Sequence, residues 1–333
     1  QFGMDGIGGL KMIKDKSVVV SSFGSLCDPY VDSLKNSVKK IYPNIFINII
    51  GKDVPADEDR INKLRDDIKF INNSPGSLKI ICWNQGMKLA NTEWVLFLDN
   101  DTALLKNIDR YIDLAEQHKA DFIFTWRHSQ PQWINSGVMF VRKNDKTLKF
   151  FEDYEANMIS DIKRNQNDQY TFINLLNRDS QFVNSVLSSS RDQHFIFDEK
   201  NIRFLGIHCD YLNRSAPKSD WLDETCIQHF KGVQNTIITK DEKENRYKNF
   251  INRGIYHLSN KALKNLNHRI NLWKKFANEK YSNDVIDLEE FIKNNKFKRS
   301  NVDVDHMSSA VMNMNPLKFY LKRLISFLKR FLD

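Results

Sequence analysis

The sequence predicts an α/β fold: a mainly parallel, mixed sheet with flanking helices, followed by a helical C-terminal extension. Three observations carry this expectation. Short β-branched or apolar runs alternate with segments of helical periodicity, the pattern of strand–helix–strand units. The clearest strand, Trp94–Leu98 in "EWVLFLDNDTALL", is an unbroken apolar run, as expected of a strand covered on both faces. From about residue 241 the chain becomes highly charged and helical, with no obvious strands.

The elements come in the order of the chain. "SVVVSSFG" (17–24) is a β-branched run ending in small residues and reads as the first buried strand. "DPYVDSLKNSVKKIY" places apolar residues at 30, 31, 34, 38 and 41, which predicts a helix capped by Asp28 with Pro29 at its first position. "NIFINII" (44–50) is a second strand, and a polar stretch is helical between about 58 and 71. "LKIICWNQGMKLANTEW" forms a turn and helix that feed the strand at Trp94. "ADFIFTW" (120–126) and "SGVMFVRK" (136–143) are further strands, "KTLKFFEDYEANMISDIKR" is helical, and "DQYTFINLLNR" opens another helix.

Composition narrows the function classes. With 333 residues, 41% of them hydrophobic, the chain can form one large domain or a domain with appendages. Its 50 Lys+Arg against 42 Asp+Glu suit a nucleotide phosphate, an anionic membrane or nucleic acid. The basic residues form neither a recognition helix nor an aromatic-interleaved sheet, so no nucleic-acid partner is expected. Cys27, Cys82, Cys209 and Cys226 show no paired spacing, which favours a reduced, cytoplasmic setting. No run of about 18 apolar residues spans a membrane, and no signal peptide is visible. "GIGG" (6–9) precedes the first strand instead of coming after it, and so reads as a tail, not a phosphate cradle. That placement also disfavours a sugar-1-phosphate nucleotidyltransferase.

Four segments could carry chemistry. In "FLDND", Asp99 and Asp101 stand two residues apart just after the buried strand. Strand alternation would send both carboxylates to one side, where their repulsion calls for a cation between them. Oxygen ligands suit Mg²⁺ or Mn²⁺. The competing reading is a turn in which the aspartates cap the next segment. In "WINSGVMFVRKN", Gly137 at a strand start permits close approach of a ligand, and Asn135 and Ser136 could hydrogen-bond a polyhydroxylated substrate, unless the stretch is simply a turn and a strand. Asp168 and Gln169 open an apolar-faced helix, as its N-cap or facing a cleft. In "CIQHFKG", His229 reads as a metal ligand and Lys231 as a phosphate partner, against a purely structural histidine. Trp126 and Trp133 flank Arg127 and His128, to stack on an acceptor sugar or to serve as ordinary core residues.

Together these segments, in order and spacing, resemble the GT-A glycosyltransferases, whose fold is Rossmann-like and whose donor is a nucleotide sugar. "FLDND" is similar to their D-x-D metal site. "INSGVMFV", "NDQYTFINLL" and "IQHFKG" resemble the N-[AS]-G, D-Q-x-x-x-N and H-[FY]-x-G segments of retaining family 8 and its relatives. The resemblance covers roughly residues 17–240. It implies Asp99, Asp101 and His229 as Mn²⁺ (or Mg²⁺) ligands, Asn135 near the donor sugar, and Asp168 and Gln169 beside the anomeric carbon. The stretch before the metal motif, "WNQGMKLANTEWVLFLDND", resembles the N-x-G-x-x-x-A-x-x-E/D segment of inverting family 2 enzymes, and the family 8 lysine-proline-tryptophan ending after the histidine is absent. On that version Asp168 is a general base.

The resulting expectation is a metal-dependent hexosyltransferase, with retention, that uses a UDP-sugar donor and a glycan or lipid-linked saccharide acceptor in bacterial surface-polysaccharide synthesis. Trp133, Asn135, Ser136, Gly137 and Lys231 are its substrate-binding candidates, and Asp168 and Gln169 its catalytic ones. A non-catalytic carbohydrate-binding or scaffold protein is the alternative of another class. The domain boundaries expected are 1–240 for the catalytic domain, 241–300 for a helical extension, 301–315 for a linker and 316–333 for an amphipathic helix. In that last helix Leu317, Tyr320, Leu321, Leu324, Leu328, Phe331 and Leu332 share one side, and Lys318, Lys322, Lys329 and Arg330 lie largely opposite. This is the pattern of a helix lying in an anionic membrane surface, which would place the protein at the inner face of the cell membrane.

Overall fold

The computed structural model describes residues 15–22, 27–62, 78–128, 133–163, 167–176, 181–215, 224–230, 233 and 260–282. Its first strand, β1 (Lys16–Ser21), leads into α1 (Asp28–Ile41) and β2 (Phe46–Ile50). The chain continues through α2 (Lys79–Leu89), β3 (Trp94–Leu98), β4 (Thr102–Leu104), α3 (Asp109–Gln117), β5 (Phe122–Trp126) and β6 (Ile134–Arg142). Next come α4 (Asp145–Lys163), α5 (Asp168–Leu175), α6 (Gln181–Ser188), β7 (Phe195–Glu199), β8 (Ile202–His208), α7 (Cys209–Leu212) and β9 (Ile227–His229). Helices α8 (Asn260–Lys274) and α9 (Glu279–Ser282) lie in the expected C-terminal extension.

Seven strands form one sheet in the order β2-β1-β3-β6-β5-β8-β7. Strands β1, β2, β3, β5 and β8 run one way, and β6 and β7 run against them. Period-two alternation divides their side chains between two cores. Val19, Val95, Phe97, Phe122, Phe124, Met139 and Phe204 pack under α2, α4, α5 and α6 through Trp83, Phe151, Tyr154, Phe172 and Phe182. On the other face Val18, Val20, Leu96, Leu98, Ile123, Phe140 and Leu205 meet Val31, Leu34 and Val38 of α1 and Ile112 and Ala115 of α3. Both faces of the central strands are thus dry, which is why β3 is an unbroken apolar run.

Reversal of β6 positions the candidate site. Leu98 at the end of β3 pairs with Val138 near the start of β6, so residues 135–137 lie at the carboxyl edge of the parallel strands. That edge is where open α/β sheets bind ligands.

Several expectations are corrected. Asp28 is the first residue of α1 and not its cap; Cys27 is the N-cap and makes no side-chain cap bond. Asp28 instead pairs with Lys52 at 2.9 Å. Strand β6 starts at Ile134, two residues before the expected start at Ser136, so Asn135 is a strand residue as well. Asp99 and Asp101 do not share the side of a strand. Strand β3 ends at Leu98, and residues 99–102 turn, with Thr102 N donating to Asp99 O at 3.1 Å. Only residues 58–62 of the helix expected at 58–71 are described, and they are helical. The linker at 301–315 and the amphipathic helix at 316–333 lie outside the described residues.

Candidate active site

The turn after β3 is tied down on both sides. Asp99 N donates to Gly137 O at 2.8 Å, and Asn100 Nδ2 donates to Ser21 O at 3.3 Å, joining the turn to the ends of β6 and β1. Strand β4 leaves the turn and pairs antiparallel with β9, with Thr102 opposite His229. Phe230 N donates to Asp101 O at 2.7 Å. This two-stranded ribbon, outside the main sheet, carries His229 to the aspartates. Its Nε2 stands 3.0 Å from Asp101 Oδ1 and 3.9 Å from Asp99 Oδ2.

The tautomer of His229 can be read from its neighbours. Its Nδ1 lies 2.8 Å from Asn213 Oδ1. The amide of Asn213 is oriented by its other end, where Nδ2 donates at 3.0 Å to both Thr125 Oγ1 and Asn135 O. Oδ1 is therefore an acceptor, Nδ1 carries the proton, and the Nε2 lone pair faces two carboxylates. Either a proton on Nε2 or a shared cation satisfies that arrangement. The three ligand atoms lie within 4.8 Å of one another, a spacing suited to one ion. Gly137 borders the same space: a Cβ built there would be 2.7 Å from Asp99 Oδ2 and 2.8 Å from His229 Cε1. Two partly exposed carboxylates and a buried imidazole, backed by further hydrogen bonds behind the ligands, are the donor chemistry a Mn²⁺ or Mg²⁺ site requires.

Residues 93–247 match the family described as nucleotide-diphospho-sugar transferase, a span that contains the aspartates, residues 135–137, Asp168 and His229. That segment is thus similar to the nucleotide-diphospho-sugar transferases. Among solved structures, the chain is similar to a glycosyltransferase involved in the glycosylation of the major capsid of PBCV-1 (15% identity, 70% of this chain and 98% of that one, TM-score 0.42). It is similar to the galactosyltransferase LgtC in complex with donor and acceptor sugar analogs (11% identity, 70% and 94%, TM-score 0.37). It is also similar to the glycosyltransferase GlyE of Streptococcus pneumoniae TIGR4 (13% identity, 87% and 66%, TM-score 0.46). No curated protein sequence matches the chain. The chain is accordingly an enzyme, a transferase of the nucleotide-sugar-dependent kind.

Beside the aspartates of the transferase lies a third carboxylate. Asp168 opens α5, yet the N-cap is Asn167, whose side chain accepts from Tyr170 N at 3.2 Å. Asp168 is thereby left to the site: Ser136 Oγ donates to its Oδ2 in a short hydrogen bond, and Tyr154 donates to its backbone carbonyl at 2.9 Å. Burial, reinforced by the Asp168 and Asp99 charges, holds the Tyr154 hydroxyl well above its ordinary pKa, so it stays a donor.

Sequence reasoning missed Lys79. Its ammonium donates to Asp99 Oδ1 at 2.8 Å, lies 3.1 Å from Asp168 Oδ2 and reaches Ser136 Oγ at 3.3 Å. It also sits 4.7 Å from the centre of the Trp83 ring. Burial on its own would lower the Lys79 pKa, but the Asp168 and Asp99 carboxylates outweigh it and hold the ammonium charged. Lys79 takes one oxygen of Asp99 and leaves Oδ2 to face His229. A signal was available: a lysine in the first turn of an apolar helix opposes the helix dipole and needs a buried anion to hold it.

The remaining candidates divide. Asn135 is buried; its Oδ1 accepts from Gly137 N at 3.3 Å, and its Nδ2 has no protein partner. Gln169 Oε1 is likewise buried without one. Trp126 is a core residue with no exposure, while Trp133 is half-buried with its ring 6.4 Å from that of Phe182. Lys231 lies outside the described residues. A second trio, His208, Cys209 and Asp210, also has ligand-like spacing. Its groups are engaged: His208 Nδ1 accepts from Asp210 N at 3.3 Å, and Arg191 Nε lies 3.3 Å from Asp210 Oδ2. All four cysteines are free thiols, and no described helix is long and apolar enough to cross a membrane.

Proposed function

We propose that the transferase moves a hexose from a UDP-sugar to a saccharide acceptor, free or lipid-linked, in the synthesis of a bacterial surface polysaccharide, with retention at the anomeric carbon. One observation supports this reading above the others: the buried lone pair of His229 Nε2 faces Asp99 and Asp101, while Lys79 joins that group to Asp168. In transfer, the bond from the anomeric carbon to the diphosphate oxygen breaks, the acceptor oxygen bonds to the same carbon, and the acceptor hydroxyl proton leaves with the diphosphate. Negative charge grows on the leaving group and positive charge on the sugar. Asp99, Asp101 and His229 would hold Mn²⁺ (or Mg²⁺), whose chemistry is to neutralise the diphosphate. Lys231 is assigned to the same phosphates. Asp168 and Gln169 offer oxygen atoms to the developing positive charge, and the uncommitted Asn135 Nδ2 and Gln169 Oε1 are a donor and an acceptor for sugar hydroxyls. Trp133 is assigned to stacking on the acceptor sugar.

A panel of nucleotide sugars tested for Mn²⁺-dependent hydrolysis, with NMR of the product anomer, examines the donor, the metal and the stereochemistry together. An inverted product would make Asp168 a general base instead. Residues 316–333 are proposed as an in-plane anchor at the inner face of the cell membrane. The full chain should then pellet with anionic liposomes, and a chain cut before Asn315 should not.

A further inference from the structure

We infer that helix α8, which lies beyond the family-matched segment, is a clasp that sets the distance between Asp101 and His229, with Arg269 as its positioning residue. The inference rests on the metal reading above. Asp101 and His229 are brought together by the β4–β9 ribbon, and each strand of the ribbon has its own support. Strand β4 hangs on α1, where Ser37 Oγ accepts from Leu104 N at 3.0 Å. Strand β9 hangs on residues 213–215. Arg214 N donates to Ile227 O at 3.1 Å, His229 N donates to Arg214 O at 2.7 Å, and Asn213 holds the imidazole.

Helix α8 grips both supports. Leu266, Ile270 and Trp273 recur along one helical face and are buried. Trp273 has no exposure and packs on Tyr30 of α1 with ring centres 5.7 Å apart. Just past the helix, Phe276 O accepts from Asn36 Nδ2 at 2.9 Å, and Asn278 Nδ2 donates to Asp32 Oδ2 at 3.1 Å; both partners lie on α1. On the other side Arg269 Nη1 donates to Ser215 O at 2.7 Å, at the end of the strip that carries Asn213 and Arg214. One rigid helix thus spans the two rails that set the ligand spacing. Partners that hydrogen-bond a metal ligand directly, as Asn213 does to His229, change metal affinity by about 10- to 100-fold, and Arg269 and Asn36 act through these supports.

The test is the Mn²⁺ dissociation constant of the full chain, read by electron paramagnetic resonance, beside melting temperature and steady-state kinetics. Arg269→Ala should weaken Mn²⁺ binding about tenfold, with the apolar face of α8 keeping the fold. Donor KM should rise at limiting Mn²⁺, kcat at saturating Mn²⁺ should stay near wild type, and Arg269→Lys should recover most of the affinity. Asn36→Ala, an exposed change on the opposite rail, should weaken Mn²⁺ binding in the same direction, and it decides the question if Arg269→Ala does not fold. Asp101→Ala separates the two levels. If it loses Mn²⁺ while Arg269→Ala and Asn36→Ala keep the wild-type constant, the clasp is overturned alone. If Asp101→Ala itself binds as wild type does, the metal reading falls and the clasp with it.

Discussion

Gly137 and Asp99 stand so close that a single methyl group on the glycine would lie 2.7 Å from Asp99 Oδ2. The same methyl would press on His229 Cε1 at 2.8 Å. Neither neighbour can retreat easily, because Lys79 holds Asp99 and Asn213 holds His229. Gly137→Ala should therefore separate the two groups, lowering Mn²⁺ affinity about tenfold or more at a stability cost of about 1–3 kcal/mol. Isothermal titration with Mn²⁺ and a urea melt check both numbers.

Asp168 and Asn167 are neighbours with different duties. Asn167→Ala removes a helix cap and should cost about 1 kcal/mol while leaving kcat near wild type. Asp168→Asn also loosens the ion pair with Lys79 and should melt lower, yet its kcat measured well below the melting temperature should fall by about 10² or more, as expected when a transition-state contact is lost. Equal kinetic effects from the two changes would remove Asp168 from the anomeric centre.

Lys79→Met leaves Asp99 and Asp168 close together without their shared counter-charge. Breaking a buried ion pair from one side costs about 3–5 kcal/mol. The variant should melt markedly lower, and its turnover should fall with it. Lys79→Arg should keep the fold, although its broader planar head cannot reproduce the contact to Ser136. Comparing their melting curves separates charge from shape.

Removal of divalent metal by excess EDTA should abolish transfer, and Mn²⁺ should restore it. Asp101→Ala should be inactive with or without added metal while retaining its circular dichroism spectrum.

Acid stability should report on Asp109, which binds Lys16 at 2.7 Å and Tyr42 at 3.0 Å. Burial works to raise its pKa, but the hydrogen bonds from Lys16 and Asn107, with the Lys16 charge, hold it below the ordinary carboxylate value. A depressed carboxylate contributes stability above the unfolded-state pKa and loses it as pH falls through the folded one. Urea unfolding at about pH 6 and about pH 2 should show wild type the more stable at the higher value and wild type and Asp109→Asn converging at the lower one.

Much of this architecture could be read from the sequence, for local reasons. Val18–Val20 and Trp94–Leu98 are unbroken apolar runs, so β1 and β3 stand out, and the spacing of Val31, Leu34 and Val38 marks α1. Strands β7 and β8 escaped because "FIFDE" and "IRFLGIH" are short and carry charge or glycine where a buried run would not. Strand β9 has only three residues, and its partner β4 is distant in sequence, so no local pattern announces it. The chemical candidates Asp99, Asp101 and His229 were visible as residue types, but the turn and ribbon that join them were not. Lys79 gives only the indirect signal of a lysine opposing the dipole at the start of an apolar helix, and the two carboxylates that hold it are distant in sequence.

The β4–β9 ribbon also fixes the order in which this molecule can mature. Asp99 and Asp101 leave the ribosome with the first half of the sheet, whereas His229 and its Asn213 prop come only after β8. The ribbon is a non-local pairing, and its loop entropy is repaid only once the large sheet has closed. A nascent chain therefore folds most of its core while the aspartates still lack their third companion. An ion held by all three side chains would thus be captured only after β9 has paired with β4.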